Sequence, residues 1–197
     1  MNKANKITIC RIILSIIIVI FLLFPFHEIG YDFSTYLLKG RIVIDLKYII
    51  IGILFIIDTI ADYFDGYVAK KNNIVTDFGR MIDTISDKLL IDSTLIILAC
   101  EGKINTIVAV VIVIMDVIID IIKLTMANKG HIIETKSFVR IKEMTLILGI
   151  VLTLFYNLPF ELIPLRISDF LLAVSAILSM IICSKYYMMA KPYLNQK

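Results

Sequence analysis

The chain has 197 residues, of which 59% are hydrophobic, and its mean hydropathy is +0.92. Soluble domains usually contain about 45–50% apolar residues, so this composition indicates a membrane protein. The net charge is only +3, which gives no support to a nucleic-acid partner. The three cysteines are isolated from one another, so we expect no metal-binding or redox motif among them.

Six long apolar segments follow one another along the chain. Each approaches the roughly 20 residues that a helix needs to cross about 30 Å of hydrocarbon. No small-residue cleavage site follows the first segment, so it is interpreted as a retained span. We therefore expect an all-α integral membrane protein with six transmembrane helices in a single domain, residues 1–197. The segments are 7–26, 46–69, 79–100, 104–127, 141–157 and 168–190.

Lysines and arginines are distributed unequally between the connections on the two sides of these segments. With the N-terminus inside, most of them fall on the inner side, including those around the loop 70–78. Cytoplasmic loops carry an excess of Lys and Arg, so both termini and this loop are expected in the cytoplasm. We expect a multi-pass protein of the plasma membrane. The adjacent Tyr186 and Tyr187 are interpreted as an aromatic anchor at the membrane interface.

Four aspartates bracket the loop 70–78 and form the most informative feature of the sequence. Asp62 and Asp65 are i,i+3 neighbours, whereas Asp83 and Asp87 are i,i+4 neighbours, so each pair shares one helical face. Two helices meeting through the loop would bring the four carboxylates together. Such a cluster requires cations, and hard oxygen ligands suit Mg²⁺, Mn²⁺ or Ca²⁺.

Small residues accompany these acids. Gly66 and Ala69 lie on the helical face of the first acid pair, and Gly79 lies one turn before the second. Missing side chains at these points leave room for a flat or bulky ligand against the backbone. The combination suggests a phosphate-containing substrate held by divalent ions. Two ions about 3.5–4 Å apart would clamp a pyrophosphate and stabilise charge on its leaving phosphate.

The same stretch resembles the signature of the CDP-alcohol phosphatidyltransferases. That signature reads D-x2-D-G-x2-A-R, then eight or nine residues, then G-x3-D-x3-D. The matching residues here are Asp62, Asp65, Gly66, Ala69, Lys70, Gly79, Asp83 and Asp87. Lys70 is the one departure, because the family usually has arginine there. Lysine keeps the charge but loses bidentate geometry, which puts a phosphate contact in doubt.

The resemblance implies a CDP-alcohol phosphatidyltransferase-like bundle, a homodimer and two divalent ions, Mg²⁺ or Mn²⁺. The implied metal ligands are Asp62, Asp65, Asp83 and Asp87. The implied CDP-binding residues are Asp62, Asp65, Gly66, Ala69, Lys70 and Gly79. Asp87 corresponds to the general base, which deprotonates the acceptor hydroxyl. That hydroxyl attacks the phosphorus carrying the diacylglycerol of CDP-diacylglycerol, and CMP leaves.

Over its whole length the chain is most similar to the bacterial phosphatidylglycerophosphate synthase branch. Asn5, Thr8 and Arg11 match the N-x2-T-x2-R opening of that branch. Glycerol 3-phosphate is therefore the expected acceptor, and its phosphate requires cations. The candidate cations are Lys123, Arg140, Lys142 and Lys185. The chain departs from the branch in the fourth segment, where Ile114-Met115-Asp116 replaces an A-R-E run and Lys123 replaces an arginine.

Several alternatives remain open. Asp58, one turn before Asp62 on the same face, is not required by the signature, and one alternative gives it a role in the site, either in supporting the metal ligands or in acceptor selection. For Asp116, Asp120 and Lys123, an interhelical salt bridge is as good an interpretation as an acceptor contact.

The alternative acceptors to glycerol 3-phosphate are inositol phosphate, serine and phosphatidylglycerol. A different class, a small transporter of divalent ions or protons, would also place acids within membrane helices.

Overall fold

The computed structural model describes most of the chain. The described ranges are 3–31, 33–38, 42–71, 77–128, 136–160 and 166–194. Within them, side chains are described except at 3–8, 38, 42, 64–71, 77–85, 87, 128, 136, 137 and 194.

Six α-helices, two strands and a short 3₁₀ helix make up the described part of the chain. In order they are α1 (Lys3–Leu23), the 3₁₀ helix (Phe26–Ile29), β1 (Thr35–Leu38), β2 (Ile42–Asp45), α2 (Leu46–Lys71), α3 (Asp77–Cys100), α4 (Thr106–Asn128), α5 (Lys136–Leu154) and α6 (Ile167–Leu194). The all-α class is confirmed, and the six helices agree with the six apolar segments to within a few residues. α5 differs most, since it begins at Lys136 and not at 141.

The chain divides into two compact units. The first comprises Met1–Ile97 with Leu154–Leu158, and the second comprises Leu98–Thr153 with Pro159–Lys197. The expectation of a single domain over the whole chain stays a prediction.

In the first unit, α1 packs against α2. α1 ends two residues before Pro25, which cannot donate the backbone hydrogen bond that would continue a helix. α2 begins after Asp45, whose carboxylate accepts a hydrogen bond of 2.8 Å from the backbone N–H of Lys47 and so caps the helix. Ile18 of α1 and Phe55 of α2 are fully buried and belong to the core.

A two-stranded antiparallel hairpin precedes α2, in the connection between the first two predicted apolar segments. β1 pairs with β2 in a register that sets Thr35 opposite Asp45 and Leu38 opposite Ile42. The backbone N–H of Asp45 also donates a 2.9 Å hydrogen bond to the Tyr156 hydroxyl. The segment around Tyr156 therefore contacts the end of the hairpin within the first unit.

The second unit contains α4, α5 and α6, and α4 packs against α6. A core cluster joins Ile119 of α4 to Ile182 and Tyr186 of α6. Tyr186 is only 2% exposed, whereas Tyr187 is 54% exposed, so the expectation that both tyrosines form an interfacial anchor is wrong for Tyr186. Neighbouring residues on a helix point in directions about 100° apart, so one of two adjacent tyrosines reaches the core while the other does not.

Among the helical segments whose side chains are described, only Ile167–Tyr193 of α6 is long and apolar enough to cross a membrane by length and composition. In α1 (Lys3–Leu23), side chains are described from Ile9 onward, and this part, Ile9–Leu23, is apolar but shorter. Charged residues interrupt the apolar runs elsewhere, since α2 carries three aspartates and α4 carries Asp116, Asp120 and Lys123. Six membrane-spanning helices are therefore not confirmed.

Large apolar side chains are nevertheless exposed on the surfaces of several helices. On α1 these include Ile13, Ile17, Ile20 and Leu23; on α4, Ile107, Val110, Ile114, Val117, Ile121 and Leu124; and on α6, Phe170, Ile177, Met180, Ile181, Met188 and Met189. Soluble monomers rarely expose apolar patches larger than a few hundred Å², and larger ones mark contact with a membrane or a partner.

Candidate active site

The signature residues lie on two consecutive helices. α2 carries Asp62, Asp65, Gly66, Ala69 and Lys70, whereas α3 carries Gly79, Asp83 and Asp87. The i,i+3 pair on α2 and the i,i+4 pair on α3 each fall within continuous helix, so the two acids of each pair share a face as predicted. The segment 72–76 between the helices lies outside the described residues.

Of these eight residues, Asp62 is the one whose side chain is described. The side chains at 65, 69, 70, 83 and 87, and the surroundings of Gly66 and Gly79, lie outside the described part. The convergence of the four carboxylates therefore stays a prediction.

Asp62 is held by an arginine from another helix. The Nη1 of Arg11, on α1, donates a hydrogen bond to Oδ1 of Asp62 at 2.7 Å. The Arg11 side chain is only 3% exposed, whereas that of Asp62 is 36% exposed. A buried guanidinium thus fixes a carboxylate that still reaches the surface, as a ligand for a cation or a substrate must.

Asp58 lies one turn before Asp62 and is almost completely buried, at 1% exposure. The hydroxyl of Ser15, also on α1, donates a long hydrogen bond of 3.5 Å to its Oδ2. Its Oδ1 has no hydrogen-bond partner within the described ranges. Burying a carboxylate in this way is costly, so Asp58 requires an explanation beyond packing.

The ligand atoms that the signature residues offer fit a hard divalent cation. Its four possible ligands are all carboxylates, and no histidine or cysteine occurs among them. Oxygen ligands of this kind suit Mg²⁺ or Mn²⁺. Among the described side chains, no group of three or more His, Cys, Asp or Glu residues is placed to hold a metal ion, and of the four acids only Asp62 has a described side chain.

In the second unit, the candidate acceptor cation Lys142 is paired with an acid. Its Nζ, on α5, donates to Oδ1 of Asp116 on α4 at 2.7 Å and also contacts Oδ2. Both side chains are largely buried, at 9% and 16% exposure. For Asp116, the interhelical salt bridge is therefore present.

Two other candidate cations lie over aromatic rings in the same unit. Lys185 Nζ is 3.5 Å from the ring centroid of Phe138, and Lys123 Nζ is 5.4 Å from that of Tyr186. Cation–π contacts of this kind stabilise an ammonium group without neutralising its charge. Arg140 is exposed.

Sequence reasoning named Arg11 only as part of an N-terminal motif and did not mention Ser15 as a functional candidate. The spacing of polar residues in the sequence was a signal that could have identified both Arg11 and Ser15. Arg11 and Ser15 are four residues apart on α1, and Asp58 and Asp62 are four residues apart on α2. Two such pairs form matching stripes on two adjacent helices, but the sequence does not specify which helices pack together.

Comparison with known proteins shows the family to which the chain belongs. The sequence model of the CDP-alcohol phosphatidyltransferase family matches residues 1–185. The CDP-diacylglycerol–glycerol-3-phosphate 3-phosphatidyltransferase of Bacillus subtilis is 33% identical over 186 residues, which covers 94% of this chain and 93% of that protein. The protein of the same name from Mycoplasma pneumoniae is 31% identical over 77% of this chain and 66% of its own length. A probable phosphatidylglycerophosphate synthase of Mycobacterium tuberculosis is 29% identical over 66% of this chain and 56% of its own length.

A match over nearly the whole chain, together with the signature on two consecutive helices, defines the class. The chain belongs to the CDP-alcohol phosphatidyltransferase family. This confirms the predicted family, and it decides between the transferase and the transporter hypotheses in favour of the transferase.

Proposed function

We propose that this protein transfers a phosphatidyl group from CDP-diacylglycerol to glycerol 3-phosphate, which yields phosphatidylglycerophosphate and CMP. The observation that carries the proposal is the complete acid and glycine signature on α2 and α3 in a chain that belongs to this family. The choice of acceptor is supported by its relatives, including the CDP-diacylglycerol–glycerol-3-phosphate 3-phosphatidyltransferase of Bacillus subtilis at 33% identity.

The donor binds at the signature. Gly66, Ala69 and Gly79 leave space along the backbone for the cytidine nucleotide, and Lys70 contributes a positive charge to the phosphates. Asp62, Asp65, Asp83 and Asp87 hold two divalent ions, Mg²⁺ or Mn²⁺. When bound, such ions neutralise the pyrophosphate and stabilise the charge that develops on departing CMP.

Asp87 takes the proton of the acceptor hydroxyl. The oxygen of that hydroxyl then forms a bond to the phosphorus that carries the diacylglycerol, and the bond from this phosphorus to CMP breaks. A carboxylate in hydrogen-bond reach of the acceptor is sufficient as a base, and positioning of the two substrates supplies much of the rate enhancement. No covalent intermediate with the protein is needed.

The acceptor carries its own phosphate, which requires cations in addition to those that bind the donor. We assign this role to Lys123, Arg140, Lys142 and Lys185. The cation–π contacts of Lys123 and Lys185 support the assignment, because they leave the ammonium hydrogens available to a phosphate. Lys142 has three donor hydrogens, so a lysine paired with Asp116 keeps a donor for the ligand.

The protein acts in the plasma membrane, where its donor and product are membrane lipids. The apolar surfaces of α1, α4 and α6 support lipid contact. We propose six spans with both termini and the carboxylate stretch at the cytoplasmic face, on the basis of the Lys and Arg distribution. We also propose a homodimer, as the family resemblance implies.

A panel of acceptors tests the substrate assignment. The purified full-length protein is supplied with CDP-diacylglycerol, Mg²⁺ or Mn²⁺ and, separately, glycerol 3-phosphate, inositol phosphate, serine and phosphatidylglycerol, and the lipid product is identified by mass spectrometry. We expect phosphatidylglycerophosphate and an equal amount of CMP from glycerol 3-phosphate alone. Product from another alcohol and none from glycerol 3-phosphate would assign the same chemistry to a different acceptor.

A further inference from the structure

Matching stripes of residues, all buried except Asp62, run along α1 and α2, which pack against each other. On α1 the stripe runs Arg11, Ser15, Ile18 and Leu22, and on α2 it runs Ile51, Phe55, Asp58 and Asp62. The spacings of four, three and four residues are those of one helical face. In both helices the half of the stripe nearest the signature is polar, whereas the other half is apolar.

Two contacts join the polar halves of the two stripes in antiparallel order. Arg11 donates to Asp62 at 2.7 Å, and Ser15 donates to Asp58 at 3.5 Å. Arg11, Ser15 and Asp58 are at most 3% exposed. Asp58 lies one helical turn before Asp62 on the same face of α2, so the two contacts belong to one polar cluster between α1 and α2.

Stability alone does not account for such a cluster. Replacing a buried ion pair by well-packed apolar residues is often neutral or stabilising, because the desolvation of the charges offsets their attraction. The apolar half of the same stripe shows that this helix pair accommodates aliphatic and aromatic side chains. The polar half lies where α2 reaches the signature, and its exposed member is the first signature acid.

We propose that Arg11 is a positioning residue that holds the Asp62 carboxylate in the orientation required by a divalent cation. This inference rests on the proposed function, in which Asp62 is a metal ligand. The guanidinium fork restricts the rotation of a carboxylate more than a single ammonium would. Asp58, which accepts a hydrogen bond from Ser15, lies in the same polar cluster one turn before Asp62.

An electrostatic role and an orienting role of Arg11 predict opposite changes in metal affinity when Arg11 is replaced, which makes the proposal testable. A positive charge beside a cation site repels the cation, so a purely electrostatic Arg11 would weaken metal binding. Its neutral replacement would then bind the cation more tightly than the parent does. An orienting Arg11 strengthens metal binding, and its replacement by lysine would weaken binding although the charge is unchanged.

The experiment measures Mn²⁺ binding to the full-length protein in nanodiscs without substrates, from the electron paramagnetic resonance signal of free Mn²⁺. We expect Arg11→Lys and Arg11→Gln each to raise the Kd for Mn²⁺ by about tenfold or more, as is usual for partners of metal ligands. The matched control is Arg166→Lys, which alters an exposed arginine paired with Asp169 at 3.6 Å and should leave the Kd unchanged. Helical circular dichroism checks folding, and the two Arg11 variants provide independent tests if one of them fails to fold.

A parent-like Kd for Arg11→Lys, or tighter binding by Arg11→Gln, would overturn the positioning role while leaving the metal site intact. Absence of Mn²⁺ binding in the parent protein would instead overturn the metal site, and with it this part of the proposed function. As a second readout, saturating Mn²⁺ should restore the kcat of Arg11→Lys, since a misplaced ligand weakens metal affinity more than turnover of the loaded site.

Discussion

The Nζ of Lys142 lies 2.7 Å from Oδ1 of Asp116, and this buried pair links α5 to α4. Asp116 is a position where the chain departs from the branch it most resembles. The hydroxyl of Ser175, on α6, donates a 3.4 Å hydrogen bond to the backbone carbonyl of Lys142. Asp116, at the departure on α4, therefore makes a specific contact with α5 that helps to hold the second unit together.

Breaking this pair should destabilise the protein strongly. Lys142→Met leaves Asp116 as an uncompensated charge at 16% exposure, which costs about 3–5 kcal/mol of the free energy of unfolding. The double variant Asp116→Leu with Lys142→Met should recover most of this loss, because neither charge remains. Thermal unfolding in detergent measures the cycle, with Arg166→Ala as the control for an exposed pair. Strictly additive effects would contradict a direct interaction.

Asp83→Asn should abolish metal-dependent CMP release. The substitution keeps the size of the side chain but removes the negative charge that a divalent ion requires. We expect activity to fall to the level that the parent protein shows after chelation of divalent ions, while thermal stability changes little. The measurement is CMP release at increasing Mg²⁺ and Mn²⁺, with Asp169→Asn as the control. Full activity of Asp83→Asn would remove Asp83 from the metal site.

The helices were predictable because their limits have local causes. α3 ends where Gly102, with φ of +71°, donates its N–H to Ala99, and α4 begins where Asn105 accepts a hydrogen bond from the N–H of Ile107. The hairpin was missed because Thr35–Leu38 and Ile42–Asp45 are short apolar runs without a distinct period. Such runs are assigned only once their pairing is known.

Of the candidate site, the family and the two helices that carry the acids were predictable, because both depend on spacing within one short stretch, Asp62 to Asp87. The convergence of the four carboxylates on metal ions stays a prediction. The partner of Asp62 was not predictable in this way. Arg11 lies on another helix, and its contact with Asp62 depends on the register in which α1 packs against α2. Local spacing does not specify that register.

Asp87→Asn should separate substrate binding from turnover. If Asp87 is the general base, the variant loses proton transfer and kcat falls by about 10²–10⁴-fold, which is the usual contribution of a positioned base. The affinity for CMP, measured by isothermal titration in the presence of Mn²⁺, should fall much less. Equal losses of CMP affinity and of turnover would assign Asp87 to metal binding alone.

Gly149→Ala should destabilise the contact between α5 and α6. A Cβ on Gly149 would lie 2.8 Å from both Cγ and Cδ2 of Leu172, which is closer than real Cβ contacts come. Gly149 and Leu172 are buried, so overpacking should cost about 1–3 kcal/mol in thermal unfolding. Leu148→Ala, at the exposed neighbouring position, serves as the control. Adding Leu172→Ala to Gly149→Ala should cost less than the sum of the two single changes, because the smaller side chain makes room for the new methyl group. Unchanged stability of Gly149→Ala would show that the two helices separate at this point without loss.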